Sequence, residues 1–249
     1  MNAATVTALR PHTGPRLQTA CSECALSALC LPMGLCQAEM ERLDGLISRS
    51  APAHEGDHLF RVGDPFRIVY AVRSGCYKTY SVDSEGREHV LGFHLPGELL
   101  GLDAIYPGHH VCNAVALDTA TVCMLPYPQL AELAGQIGGL RMQLLRLMSK
   151  HISGASALAG DFTAEERIAA FLLDLSRRFQ QRGFSQSEFN LTMSRRDIAN
   201  DLRLAPETVS RVFARFEKDH LISVDRRNVH LADSARLGSL ARCMDEMHA

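Results

Sequence analysis

Cys21, Cys24, Cys30 and Cys36 fall within sixteen residues of one another. Thiolates are soft donors that select zinc or iron–sulfur centres. The spacing Cys21-x2-Cys24-x5-Cys30 puts three of them in one short loop. A structural zinc site often uses two C-x2-C pairs, and this stretch has one. Cys36 could supply a local fourth ligand, or Cys112 or Cys123 could fold back from the next segment; spacing does not choose between them. The competing reading is incidental or redox-active thiols. Cys76, in a strand-like run, and Cys243, in the last helical stretch, read as packing residues, because a free cysteine behaves as a small apolar group.

A second constellation lies in 191–218, LTMSRRDIANDLRLAPETVSRVFARFEK. It reads as a helix-turn-helix. Ser194 can cap a helix with Asp197 three residues on, and Ile198, Ala199 and Leu202 make its inner face. Leu204-Ala205 is the tight connection, and Pro206 suits a first helical position, where its missing N–H is no loss. At about 100° per residue, Val209, Val212, Phe213 and Phe216 share one face of the second helix. Glu207, Ser210 and Arg211 share the opposite face near its N-terminus, the place from which a recognition helix reads bases. Arg can bond G at O6 and N7, Glu can accept from C N4, and Ser can do either. Arg195, Arg196, Arg215 and Lys218 are candidates for phosphates. Residues 221–231 read as a β-hairpin with a charged tip, a wing. The bland alternative is an amphipathic helix pair with a solvated face. Over 191–231 eight Lys/Arg stand against six Asp/Glu, so bulk charge does not carry the DNA reading; the pattern does.

These sites need elements to hold them. Residues 1–20 read as a polar tail, and a short helix follows the cysteines, with Met40, Leu43, Leu46 and Ile47 on one face. From about 52 to 128, glycines punctuate β-type runs at 68–72, 76–82 and 89–93. The second run alternates faces, and short strands at this spacing suggest a β sandwich or barrel. Leu133, Ile137, Leu140, Leu144 and Leu147 then step by 4, 3, 4 and 3. Such a narrow stripe fits a helix–helix seam, with Ile152 beyond it; packing onto the chain's own domain is the alternative. Thr163 and Glu166 form a capping box for a helix through Leu175.

Composition bounds the rest. The 249 residues are 46% apolar, with a formal net charge of −2 and no Trp. That excludes wholesale disorder, and no apolar run approaches the roughly 20 residues of a membrane span. The first fifteen residues have no apolar core of a secretory signal, so a reducing cytoplasm is expected, where structural disulfides are rare. No G-x-S-x-G, P-loop or H-E-x-x-H occurs, so an enzyme is not expected, and an iron–sulfur electron carrier is the alternative from another class.

With these residues in hand, the chain resembles the FNR branch of the CRP/FNR transcription regulators over about residues 21–240. The resemblance rests on CSECALSALC followed by LP, LFRVGDPF, YAVRSGCYKTY, GFHLPGELLGLDAI, LMS, AEERIAAFLLDLSRRFQQRGFS, LTMSRRDIANDL and ETVSRVFARF. It implies an α+β fold: a cysteine segment (21–36), an N-terminal β-roll like the cyclic-nucleotide-binding jelly roll (37–130), a long dimerisation helix (131–160) and a C-terminal winged helix-turn-helix (161–249). It implies a [4Fe–4S] cluster on Cys21, Cys24, Cys30 and Cys123, since Cys123 in TATVCMLPY matches the family's fourth ligand and Cys36 and Cys112 match none. It implies a homodimer seamed by Ile137, Leu140, Leu144, Leu147 and Ile152, stable without oxygen. That dimer would bind palindromic TTGAT-type sites through Glu207, Ser210 and Arg211 and contact RNA polymerase, with the loop 82–88 as a candidate surface. The same fold could instead use zinc, thiol redox or nitric oxide. Two departures stand out. The stretch 108–113 lacks the Arg that a cyclic nucleotide's phosphate needs, so none is expected. The segment from LMS to AEER is about three residues short, and SGASA replaces an acid-rich stretch. With Ala155 near an acidic position of the family, easier pairing of metal-free subunits is expected.

Overall fold

The computed structural model describes residues 20–156 and 160–245. The chain forms two compact units. The first is the chain up to Arg87 together with Leu91–Met148; the second is Glu88–Val90 and the chain from Ser149.

In the first unit, a 3₁₀ turn at Cys21–Glu23 leads to α1 (Gln37–Asp44). Eight strands follow: β1 (Ser48–Arg49), β2 (His58–Phe60), β3 (Ile68–Ser74), β4 (Tyr77–Val82), β5 (Glu88–His94), β6 (Leu99–Leu100), β7 (Asn113–Ala116) and β8 (Thr121–Pro126). They form two sheets, β1-β8-β3-β6 and β2-β7-β4-β5. Strand period two splits β3 and β8 cleanly. Val72, Val122 and Met124 join Phe60, Tyr77, Ala114 and Ala116 in one core. Val69, Ala71 and Leu125 turn the other way and join Leu31, Leu35 and Leu43 in another. The alternation expected of residues 76–82 does not appear as burial: Tyr77, Lys78, Thr79 and Tyr80 are all buried. Lys78 Nζ lies 5.1 Å from the Tyr80 ring centroid, a cation–π contact.

The single helix expected over 131–160 is two helices, α2 (Tyr127–Gln136) and α3 (Gly138–Ser156). Ile137 between them is extended, with φ −110° and ψ 103°. Gly135, Gly138 and Gly139 crowd the break, and each glycine raises the cost of continuous helix by about 1 kcal/mol. The expected seam is corrected too. Leu133, Ile137 and Leu140 are buried in the chain's own core, with Leu144 and Leu147 packed against it. The cysteine segment and the sheet are the partners of this stripe. Among the described residues, the large apolar side chains of α3 left exposed are Met142, Leu145 and Ile152. With Ser149 they step by 3, 4 and 3, a seam of the same period on another face. Of the expected seam, Ile152 alone belongs to it. The side chain of Ala155 lies outside those described, as do residues 1–19 and the side chain of Cys243.

In the second unit, α4 (Ala164–Gln181) starts on the expected capping box: Thr163 Oγ1 accepts from the Glu166 N–H, and Glu166 accepts from the Thr163 N–H. Then come β9 (Glu188–Asn190), α5 (Arg195–Asp201), α6 (Pro206–Lys218), β10 (Ile222–Asp225), β11 (Asn228–Leu231) and α7 (Ser234–Asp245). The hairpin β10–β11 turns at Arg226-Arg227, and β9 adds a third strand to it. Ile168, Leu172 and Leu175 of α4, Ile198 of α5 and Val209, Phe213 and Phe216 of α6 are buried. Each such burial is worth about 1.5–3 kcal/mol.

Among the described residues, no helix is long and apolar enough to cross a membrane.

Candidate functional site

Cys21, Cys24, Cys30 and Cys123 line one cavity, with about 430 Å³ of atom-free space that includes part open to solvent. Strand register explains Cys123. It is opposite Ala71 on β3 and Arg49 on β1, and it leaves the sheet on the side where the cysteine segment packs. A one-residue slip of β8 would turn it into the roll. The loop is held from three directions. The Cys21 N–H donates to Asp44 Oδ1 at 3.2 Å, and Gln143 Nε2 donates to the Cys30 carbonyl at 3.2 Å. Gly97, at φ +91°, lies so close that an added Cβ would stand 3.2 Å from Leu29 Cβ.

The rest of the wall is mainly apolar, including Leu26, Leu31, Ile47 and Leu125. Burial therefore pushes the Cys30 thiol up to about 12. Cys21 is also pushed up to about 12 by burial, and the Asp44 carboxylate beside it adds to the rise. Cys123 is raised by burial while Arg49 and Arg73 pull it back. The thiols feel one another: Cys21 senses Cys123 and Cys30, and Cys24 acts on both Cys30 and Cys123. Among the described residues, no three His, Cys, Asp or Glu side chains converge tightly enough to hold one ion; the four thiols stand around a shared wall. Uptake of a metal here must release thiol protons.

The two other cysteines near the ligand pattern are elsewhere. Cys36 is exposed at the N-cap of α1, where its N–H donates to Glu39 Oε2. Cys112 is buried in the core between the two sheets, 3.5 Å from Asp103 Oδ2, and burial pushes its thiol up to about 12. Cys76 is buried as expected of a packing residue. In the loop 82–88, Arg87 is paired with Asp83 and Glu85, both at 2.8 Å, which shapes a tight charged turn.

The second unit presents the other constellation. Ser194 Oγ accepts from the Asp197 N–H at 3.1 Å, and Asp197 accepts from the Ser194 N–H. Pro206 opens α6. Glu207, Ser210 and Arg211 are exposed, as are Arg196 and Lys218. Ser210 Oγ bonds the Pro206 carbonyl at 3.0 Å, and Arg211 Nη2 donates to Thr208 Oγ1 at 3.2 Å. One expected phosphate contact, Arg195, needs correction. The Arg195 guanidinium lies 3.5 Å from the Phe213 ring centroid, and its Nη1 is buried. Stacking on the helix core, not solvent, claims that charge. Arg215 is tied to Glu165 at 2.8 Å, with Asp219 at 3.8 Å.

Sequence reading missed Asp44, Arg73, Gly97 and Thr208, whose roles depend on neighbours brought by the fold. It also missed Gln143. Here a signal existed, because Gln143 shares the helical face of Leu140, Leu144 and Leu147, and a polar residue there must be satisfied.

Comparison with known proteins agrees with this architecture. The family described as the cyclic nucleotide-binding domain matches residues 52–136, and the Crp-like helix-turn-helix domain matches residues 166–240. The transcriptional activator protein anr of Pseudomonas aeruginosa is 48% identical over 227 residues, covering 90% of this chain and 93% of that protein. The fumarate and nitrate reduction regulatory protein of Escherichia coli K12 is 44% identical over 224 residues, covering 89% and 90%. The solved structure of FixK2 from Bradyrhizobium japonicum superposes with a TM-score of 0.71 at 28% identity, covering 78% of this chain and 96% of that one. The first of these is named as a transcriptional activator and the second as a regulatory protein. With the roll, the paired helices and the reading helix in place, the chain belongs to the CRP/FNR family of DNA-binding transcription regulators, in its FNR-type branch.

Proposed function

We propose that this regulator senses oxygen through a [4Fe–4S] cluster held by Cys21, Cys24, Cys30 and Cys123. The observation that carries the proposal is that these four thiols, and neither Cys36 nor Cys112, line a single cavity. The donor set fits the group. Four soft thiols lining one cavity suit an iron–sulfur centre, which Cys21, Cys24, Cys30 and Cys123 would hold. Arg49 and Arg73 beside Cys123 offset the negative charge of a thiolate-ligated centre. When bound, such a cluster supplies an oxygen-labile anchor for the loop.

The chain's own residues do the rest. The anchored segment packs on α3, whose exposed stripe of Met142, Leu145 and Ile152 meets the same stripe of a second copy. The dimer then binds palindromic TTGAT-type sites under low oxygen. Arg211, with its fork set by Thr208, takes the guanine, while Glu207 and Ser210 read neighbouring bases. Arg196 and Lys218 contact phosphates. The loop 82–88 offers its charges to RNA polymerase, and the protein works in the cytoplasm. The roll takes no cyclic nucleotide in this reading. At the stretch where a phosphate would lie, Asp103 instead accepts from Val111 N–H and lies beside Cys112, and a carboxylate repels phosphate.

Anaerobic purification tests the sensor. The expected result is a brown protein with iron and acid-labile sulfide in equal amounts, whose visible absorption bleaches in air together with loss of the dimer. Stoichiometric zinc with no sulfide, and no change in air, would overturn it.

A further inference from the structure

Gln143 is a polar side chain in an apolar place. It lies on the face of α3 that carries Leu140, Leu144 and Leu147 toward the cysteine segment, and only 3% of it is exposed. A buried amide is costly unless hydrogen-bonded. Nε2 donates to the Cys30 carbonyl, a group that can only accept, so the orientation of the amide is fixed. Oε1 is buried with no hydrogen-bond partner. One turn earlier, a Cβ added at Gly139 would stand 3.2 Å from Leu35 Cδ2. Helix and thiol-bearing segment therefore meet closely at two successive turns, once by a polar tie and once by steric contact. Met142 and Leu145, on the same turns, remain exposed.

We infer that Gln143 is a positioning residue that ties the backbone of Cys30 to α3, so that displacement of the cysteine loop is passed to the helix that pairs the subunits. The inference rests on the ligand role of Cys30 and the dimer role of α3 proposed above. The physical basis is the single bond. If the loop moves away, both polar ends of the amide are left buried and unsatisfied, a penalty larger than the bond's net worth. The helix then shifts until the amide finds new partners.

The test uses the full chain, prepared anaerobically. Gln143→Met keeps the length and removes both the donor and the unpaired acceptor; Gln143→Asn keeps an amide that is one methylene short of the carbonyl. Both should take up the parent's amounts of iron and sulfide. Their dimers should dissociate about 10-fold more readily in sedimentation, and amides of residues 24–35 should exchange about 10-fold faster in the metal-free chain, the scale of one net hydrogen bond. Leu147→Ala is the control, because it thins the same core without touching the tie. It should lower the melting temperature while leaving loop exchange relative to the rest of the roll unchanged. If Gln143→Met fails to fold, Gln143→Asn carries the comparison. Parent-like dimers and parent-like loop exchange in the variants would overturn the inference. So would losses that only track melting temperature, as in Leu147→Ala. A parent that binds no iron would defeat the ligand reading instead, while exchange in the metal-free chain would still report on the tie.

Discussion

The cavity and the reading helix place their working groups by opposite means. Cys30 and Cys123 are distant in the chain and meet only because β8 pairs with β3 in one register. Glu207, Ser210 and Arg211 are neighbours on a single helix, positioned by Pro206 and by the apolar face beneath them. Burial raises the thiols of Cys21 and Cys30, whereas Glu207, Ser210 and Arg211 stand in solvent. The difference teaches where each site is vulnerable. A change anywhere in the core that fixes sheet register reaches the cavity, while the reading surface answers mainly to substitutions within its own helices.

The largest expected effect breaks the first half of that comparison. Cys123→Ser removes the one thiol that the sheet contributes, and it leaves α4 to α7 untouched. Iron affinity should fall by more than about 100-fold, beyond the 10–100-fold typical of outer partners of a metal site. The thermal transition of the DNA-binding unit should stay where it is. Retention of iron and sulfide at the parent's level would remove Cys123 from the site and reopen the place of Cys36.

Next in size is Arg211→Ala. One bidentate arginine is worth about 1–3 kcal/mol of discrimination at its base pair, and a dimer loses it twice. Specific binding should drop by at least about 10-fold, with little change in stability and equal binding to sites altered at the guanine. Lys218→Ala should instead weaken all sequences alike and flatten the salt dependence by about one charge. If Arg211→Ala still discriminates the guanine, another side chain reads it.

Gly97→Ala should have a smaller effect, and one confined to the cavity side. The residue must hold φ +91° and accept a Cβ 3.2 Å from Leu29 Cβ. Strain of that kind costs about 1–3 kcal/mol. Denaturant unfolding should show the loss in the roll, together with faster proteolysis of the cysteine segment. An unchanged midpoint would mean that the loop yields freely to the added methyl.

What the sequence revealed follows the same division. The caps at Thr163 and Ser194, the start at Pro206 and the face shared by Glu207 and Arg211 were legible, because each is a relation between residues within one or two turns. The site in the first unit was legible only in part. Spacing could not choose among Cys36, Cys112 and Cys123, since which of them lines the cavity depends on a strand register; the family resemblance pointed to Cys123. The leucine stripe was read with the right period and the wrong partner. Periodicity reports that a face is buried, not whether its own sheet or a second subunit covers it. Arg195 failed for a related reason: nothing local says that an arginine will lie over Phe213.

The smallest expected effect sharpens the comparison, because burial raises an acid in each unit but only one of them into the neutral range. At the end of α5, burial lifts the Asp201 carboxyl to about 7; Arg178 opposes the rise and Asp174 adds to it. The folded value lies above the unfolded value of about 3.9. Its stabilising contribution is therefore complete below about pH 4 and is lost as pH rises through about 7. Asp201→Asn cannot ionise, so it should escape that loss. The thermal transition of its DNA-binding unit should exceed the parent's by roughly a few degrees at about pH 8, and the gap should narrow on acidification and close only toward about pH 4. A gap of constant size across that range would mean that Asp201 is ionised throughout and that Arg178 outweighs burial. Cys21 and Cys30 should give no such signal in this window, because burial moves both further above it, to about 12. A pH dependence that survives in Asp201→Asn would therefore have to come from other groups than these.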